Sequence, residues 1–153
     1  MGVEKNKEIM QRYFDELMNN SDYSKADEIL HEDFSGAAGG EIKGIEAHKL
    51  YNQGMHTAIP DLFIDVQEII ADENKAAVFS LWNGTHNTVI QGFPPTGKKF
   101  SFDMASIYEF KDGKVIRGIP RVVSDNLGLY QQVGVLPSNE EILKAYKESH
   151  NLE

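Results

Sequence analysis

Residues 125–137 are the most informative part of the chain and read Asp125-Asn126-Leu127-Gly128-Leu129-Tyr130-Gln131-Gln132-Val133-Gly134-Val135-Leu136-Pro137. It follows a strand-like segment rich in Val and Ile and opens on an ionisable residue, Asp125. A carboxyl group at the rim of an apolar cavity is a candidate for acid–base chemistry, because burial can raise the pKa of such a group toward neutrality. The run after Asp125 reads as a short helix, so the same residue is also a candidate N-cap.

Upstream of residue 125, the sequence pattern predicts four strands. Apolar and polar residues alternate with period two, which is typical of strands with one buried face; the segments are 62–70, 75–86, 99–110 and 115–123. Lys111-Asp112-Gly113-Lys114 predicts a tight hairpin between the last two. Gly118 and Pro120 interrupt the last strand, and a proline within a strand implies an edge strand or a bulge.

The rest of the chain predicts mainly helices. Three- and four-residue apolar spacing indicates helices over 4–19 and 44–57, a short one headed by Ser24, and a C-terminal one over 138–150. Residues 35–40 are small and Gly-rich, typical of a loop or a poor edge strand. The order predicts an α+β fold, a cone-shaped α+β barrel in which a curved antiparallel or mixed sheet wraps around the N-terminal helices. Such a cone encloses a hollow suited to a ligand.

Composition narrows the classes of function. A chain of 153 residues fits one domain, and its net charge of −9 argues against nucleic acid and anionic membrane surfaces as partners. Cysteine is absent, which excludes disulfides and thiolate chemistry. The polar N-terminus lacks the apolar core of a signal peptide, and no window reaches the roughly 18 apolar residues of a membrane span. We therefore expect a cytoplasmic protein.

Four stretches resemble the SnoaL-like polyketide cyclases of the nuclear-transport-factor-2-like superfamily. In chain order they are Arg12-Tyr13-Phe14 with Ala26 to Phe34, Ala58-Ile59-Pro60-Asp61-Leu62, Trp82-Asn83-Gly84-Thr85-His86 with Gly92 to Lys98, and Tyr108 to Val115 with Asp125 to Pro137. The resemblance places a SnoaL-like domain over 1–137 and makes 138–153 a C-terminal helical extension. It implies a cofactor-free enzyme that cyclises polyketide esters by an intramolecular aldol step, with Asp125 as the acid–base residue.

The sequence departs from the family pattern at three places. A histidine expected shortly after Phe34 is missing, and Arg117-Gly118-Ile119-Pro120 stands where family members often carry His and Trp. Compared with the family, the last strand is also two residues longer before Asp125, so we expect a bulge in it. These departures keep a second class of function open, a non-catalytic module that binds a small molecule or dimerises on the same fold. A third hypothesis is epoxide hydrolysis, which requires Asp103, Arg121 and Asp125 to gather around a water.

Candidate site residues follow from side-chain chemistry. We predict Asp125 and His86 as catalytic, His86 by polarising a carbonyl, with a structural histidine at the strand end as its alternative. We predict a substrate pocket made of Tyr13, Tyr51, Trp82, Phe102, Met104 and Arg121. The aromatic members can equally be core, and Arg121 can be a surface charge or a partner of Asp125. Asp103, in mid-strand, is expected to face solvent.

No metal site is expected. His48 and His56 lie eight positions apart on one predicted helix, and no carboxylate completes a metal triad with them. The leading hypothesis is therefore cofactor-independent cyclisation or isomerisation of a hydrophobic carbonyl compound through an enolate. We also expect a homodimer, with contacts from Phe79, Leu81 or the face of residues 100–110.

Overall fold

The computed structural model describes residues 2–37 and 41–152, without the side chains of Ala37 and Arg121. The helices are α1 (Gly2–Arg12), continued by a π-helical segment (Tyr13–Asn19), α2 (Ala26–Ile29), α3 (Gly44–Ala58), α4 (Asn126–Gln132) and α5 (Asn139–Ser149). The strands are β1 (Leu30–Ala37), β2 (Glu41–Lys43), β3 (Phe63–Ala71), β4 (Lys75–Thr85), β5 (Lys99–Lys111) and β6 (Lys114–Ser124).

These strands form one curved mixed sheet in the order β2-β1-β6-β5-β4-β3. All neighbours are antiparallel except β1 and β6, which run parallel. Helices fill the concave face, so the predicted α+β cone is confirmed. The period-two pattern of β5 is confirmed as well, because its inward side chains are buried and Asp103 is exposed.

The core lies between the first helix and the concave face of the sheet. Met10, Phe14 and Leu17 are buried there with Val78 of β4 and Tyr108 of β5. Two asparagines tie the helix to strand ends, because a buried amide must find backbone partners. Asn6 Nδ2 donates to the carbonyls of Asp72 and Glu73 at 2.9 and 3.1 Å, and the Asn19 amide pairs with Ile64 N and O at 2.8 Å each.

Three features differ from, or refine, the sequence prediction. The helix predicted over 4–19 widens into a π-helix from Tyr13, and π-helical turns are frequent at functional sites. Residues 30–37 form β1, so residues 35–37, predicted as a loop or a poor edge strand, belong to a strand that lies between β2 and β6; residues 38–40 of the Gly-rich segment lie outside the described residues. The bulge is confirmed: Ala105 pairs with Val123 but Ile107 with Ile119, so β6 carries two extra residues.

The expected dimer contacts divide between the two faces of the sheet. Phe79 is 43% exposed on the convex face, whereas Phe100 and Phe102 are buried on the concave face. The Phe100 and Phe102 side chains are thus wrong as candidate contacts, because they pack inside one chain. Within the described residues, no helix has both the length and the apolar character needed to cross a bilayer.

Candidate functional site

The cone encloses two adjoining chambers. The inner chamber has a volume of about 40 Å³ and is lined by residues of the π-helical segment, of α3 and of the strands β1, β2, β4, β5 and β6. The outer chamber, of about 280 Å³, lies nearer the mouth, under the connection between β4 and β5 and beside α4. Tyr51 and Trp82 line both. Only the outer chamber approaches the size of a typical small-molecule site, whereas the inner one holds little more than a water or a carbonyl group.

A pair of glycines makes room for the inner chamber. Gly36 of β1 and Gly118 of β6 are register partners across the parallel pair and both line the chamber. A Cβ on Gly118 would come within 3.2 Å of the Tyr108 ring, and one on Gly36 within 3.3 Å of the Phe34 ring. Side chains at these two positions would crowd the chamber wall.

His48 of α3 is the polar centre of the inner chamber. Its Nε2 lies 2.8 Å from the Tyr13 hydroxyl and its Nδ1 lies 2.6 Å from the Tyr23 hydroxyl. The Phe34 ring stands edge-on to the imidazole at 5.1 Å. Because a neutral imidazole carries one N–H, one ring nitrogen donates and the other accepts, so the three residues form a continuous hydrogen-bonded chain.

Burial keeps these three hydrogen-bonded side chains uncharged. It lowers the pKa of His48 from 6.5 to about 4, and it raises the pKa of the Tyr13 and Tyr23 phenols above their ordinary value. Burial also raises the pKa of Tyr108, whose hydroxyl interacts with Ser106 and Tyr13. At neutral pH the inner chamber therefore presents neutral hydroxyl and imidazole groups in an apolar surrounding.

Such groups can stabilise a developing negative charge on an oxygen atom. In the tautomer with Nε2–H, Tyr23 donates to Nδ1 and His48 donates to Tyr13, so the Tyr13 proton can be donated either to Tyr108 or to the oxygen of a ligand. A hydroxyl so supported, in a site shielded from water, is a hydrogen-bond donor for a carbonyl or enolate oxygen. Among the residues that the structure describes, no Asp or Glu lines either chamber.

The structure places Asp125 outside both chambers. It is exposed, it precedes α4, and its Oδ1 accepts a hydrogen bond from Gly128 N at 2.8 Å. It borders an open depression on the convex face together with Asp103 and Phe79. The expected burial in an apolar cavity is therefore wrong, because α4 turns the carboxylate outward as its N-cap, and the capping interpretation is confirmed.

His86 is buried but also faces away from the chambers. Its Nδ1 lies 3.1 Å from Thr96 Oγ1, and its carbonyl accepts from Thr96 N and Gly97 N, so it anchors the β4–β5 connection. Its ring lines a closed crevice beside α4, with Leu129 and Val133. Nε2 has no hydrogen-bond partner among the described residues. This geometry matches the structural alternative at the strand end, and catalysis by His86 stays a prediction.

The predicted pocket residues mostly line the cavity. Tyr13 and Met104 line the inner chamber, Phe102 the outer one, and Tyr51 and Trp82 both. The Arg121 side chain lies outside the described residues, so neither its pairing with Asp125 nor the cluster with Asp103 can be placed. Sequence reasoning missed His48 and Tyr23 as functional residues. The signal available was a histidine at helical spacing among apolar residues, which by itself is no different from a core histidine.

Comparison with known proteins identifies a family and similar folds. The family model for SnoaL-like polyketide cyclases matches residues 8–133. TsrD from Streptomyces laurentii is 22% identical, superposes with a TM-score of 0.74, and is aligned over 87% of this chain and 97% of its own. AclR from Streptomyces galilaeus is 24% identical, superposes with a TM-score of 0.73, and is aligned over 97% of this chain and 94% of its own. A SnoaL-like polyketide cyclase from Agrobacterium tumefaciens is 19% identical, superposes with a TM-score of 0.73, and is aligned over 84% of this chain and 98% of its own.

The match over most of the chain defines the class of protein. The chain belongs to the SnoaL-like polyketide cyclase family, with the cone-shaped fold of the nuclear-transport-factor-2-like proteins. No protein of curated function matches it significantly. At these identities the solved structures show the fold alone, so the activity has to be argued from the site.

Proposed function

We propose that the protein binds a neutral, hydrophobic, carbonyl-bearing small molecule and promotes its enolisation without a cofactor, the step that begins an intramolecular aldol cyclisation or an isomerisation. The observation that carries this proposal is the Tyr13–His48–Tyr23 chain at the end of an apolar cavity. Family membership supports the same class of reaction.

The two chambers suggest how a substrate binds. Its hydrocarbon body fits the outer chamber, whose walls are mostly apolar and include Ile59, Phe100 and Leu129. Its carbonyl group then enters the inner chamber, where only a small polar group has room. There Tyr13 donates a hydrogen bond to the oxygen, and that bond strengthens as negative charge develops. The α-proton passes to a water or buffer base at the mouth of the outer chamber, because no described carboxylate lines either chamber. His48 orients Tyr13 and, through its second nitrogen, couples it to Tyr23.

A bicyclic ketone with acidic α-protons, β-tetralone, tests this proposal. In deuterated buffer the protein should accelerate exchange of the α-protons, followed by NMR. Tyr13→Phe removes the donor and should lower the rate at least tenfold, since loss of one oxyanion donor costs about 10²–10³ in known enzymes. Tyr146→Phe, on the exposed face of α5, is the matched control and should leave the rate unchanged.

The acid–base role predicted for Asp125 is part of the same test. If Asp125→Asn abolished exchange while Tyr13→Phe did not, the chemistry would belong to the convex face and the proposal would fail. Full exchange in Asp125→Asn together with loss in Tyr13→Phe and His48→Gln would support the inner chamber as the site.

A binding module is the second candidate, and one observation favours it: the carboxylate that the family resemblance assigns to catalysis caps α4 in solvent. In that case β-tetralone or its enol analogue β-naphthol binds with one-to-one stoichiometry, measured by calorimetry, and exchange is not accelerated.

We also propose a homodimer formed through the convex face, where Phe79 and Val123 are exposed apolar side chains.

A further inference from the structure

We propose that Trp82 determines the largest ligand that the protein accepts, because its indole forms a partial partition between the two chambers that a carbonyl group can pass but a ring system cannot. The inference rests on the proposed function, since it assumes that ligands occupy these chambers. It adds a specificity-determining residue, whose role is to exclude ligands by size and not to take part in the chemistry.

Two independent observations place Trp82 at the boundary between the two chambers. Its side chain lines both chambers. It also packs against both hydrophobic clusters of the protein, the main core that contains Phe14 and Tyr108 and the smaller cluster that contains Phe100 and Leu129. Among the described residues, no other side chain lines both chambers and also packs against both clusters. Removing the indole would therefore join the two spaces.

The indole is held in place from several sides. Its Nε1 donates to Ser80 Oγ at 3.2 Å, and Ser80 is itself buried. The backbone of Trp82 pairs with Ile64 of β3 and with Phe102 of β5, so it sits in the interior of the sheet. The Phe102 ring lies 6.5 Å away at a tilt of 35°. A side chain fixed in this way does not swing aside to admit a larger ligand, and the partition is part of the resting structure.

The position of the indole then limits the ligand. The outer chamber, at about 280 Å³, lies just below the usual range for small-molecule sites, and the inner one adds only about 40 Å³. A flat compound of two fused rings fits the outer chamber with its oxygen directed past Trp82 toward Tyr13. A broader compound of four fused rings can bring its oxygen to Tyr13 only by extending its rings past Trp82, and the indole obstructs that extension.

Two neutral fluorescent phenols test the partition: β-naphthol, with two fused rings, and hydroxypyrene, with four. Their dissociation constants are measured by the polarisation of the probes' own emission. Wild-type protein should bind β-naphthol at least about tenfold more tightly than hydroxypyrene, and Trp82→Ala should reverse this preference. Trp82→Phe, which keeps an aromatic ring but shortens it, should give an intermediate ratio. Leu81→Ala is the matched control, because its side chain points to the other face of the sheet.

The outcomes separate this inference from the proposed function. If wild-type protein binds β-naphthol but both Trp82 variants keep the wild-type ratio, the partition is wrong and the proposed function stands. If wild-type protein binds neither probe, both fail. If Trp82→Ala does not fold, as judged by circular dichroism, the ratio measured for Trp82→Phe decides: a shift toward hydroxypyrene supports the partition, and an unchanged ratio overturns it.

Discussion

His48 Nε2 lies 2.8 Å from the hydroxyl oxygen of Tyr13, although 35 positions separate the two residues in the chain. The contact joins the start of the π-helical segment to the first half of α3, and Tyr23 completes it from a third segment. Tyr13 and His48 are buried and the half-buried Tyr23 packs against the main apolar core, where unpaired polar atoms would be costly. The chain of hydrogen bonds is thus a requirement of the fold as well as a candidate for chemistry.

The first prediction concerns acid sensitivity. His48 has a pKa of about 4 in the folded protein and an ordinary value of 6.5 when unfolded. Between these values the unfolded state binds a proton that the folded state excludes, so the free energy of unfolding should fall as pH falls from 6.5 toward about 4, by up to about 3 kcal/mol in total. Urea unfolding of wild type and His48→Gln, at about pH 7 and about pH 5, measures the effect.

The His48→Gln variant should lose much of the pH dependence of its free energy of unfolding, whatever its stability at neutral pH. Leu50→Gln changes an exposed neighbour on α3 and should keep the wild-type slope. Equal slopes in wild type and His48→Gln would show that His48 is not held neutral by burial.

The second prediction concerns Asp125 as a cap. Asp125→Ala should lower the free energy of unfolding by about 1 kcal/mol, the usual contribution of an N-cap side chain, whereas Asp125→Asn should cost less because its amide oxygen still accepts from Gly128 N. Thermal unfolding followed by circular dichroism compares the two. A side chain on Gly128 would collide with the Asp125 carboxylate, so Gly128→Ala should remove the cap as well. The double variant should then be less destabilised than the sum of the two single changes.

The third prediction concerns Gly84 in β4. A Cβ there would lie 2.6 Å from Ile59 Cγ2 and 2.9 Å from Phe100 Cζ, and both of these residues line the outer chamber. Gly84→Ala should therefore destabilise the protein by roughly 1–3 kcal/mol through overpacking. It should also weaken β-naphthol binding, because the displaced side chains move toward the chamber. Wild-type stability in this variant would mean that Ile59 and Phe100 relax freely.

The fourth prediction concerns the proposed homodimer. Phe79→Lys or Val123→Lys places a charge on the convex face and should convert the dimer to a monomer in sedimentation equilibrium. Leu50→Lys, equally exposed to solvent but on α3, should leave the dimer intact. A wild-type chain that sediments as a monomer at micromolar concentration would reject the dimer altogether.

Much of the fold could be predicted because its signals are local. Alternation of apolar and polar residues located β3 to β6, and the Asp112-Gly113 turn between β5 and β6 has the positive φ angles, 52° and 73°, that the dipeptide favours. Strand β1 was predicted only in part, as one alternative for residues 35–37, because its residues, from Leu30 to Ala37, do not alternate and include Gly36. Its parallel pairing with β6 depends on the tertiary fold, which period and turn chemistry do not encode.

The candidate site was harder to predict, for a physical reason. Aromatic composition indicated Tyr13, Tyr51 and Trp82 as pocket residues, and they line the chambers. His48 could not be recognised, because its partners come from other segments and only the packed helices bring them within hydrogen-bonding distance. Asp125 was chosen by resemblance, but its orientation depends on the exact geometry at the start of α4, where a local backbone partner satisfies the carboxylate.

Trp82 is the single tryptophan of the chain. Because its indole lines both chambers, the intrinsic tryptophan fluorescence of the protein reports on ligands that enter them. Excitation at the red edge of the tryptophan absorption band excites this one residue selectively. A change in its emission colour on titration of an unlabelled compound would report entry into the cone, so libraries of non-fluorescent compounds can be screened without modifying the protein.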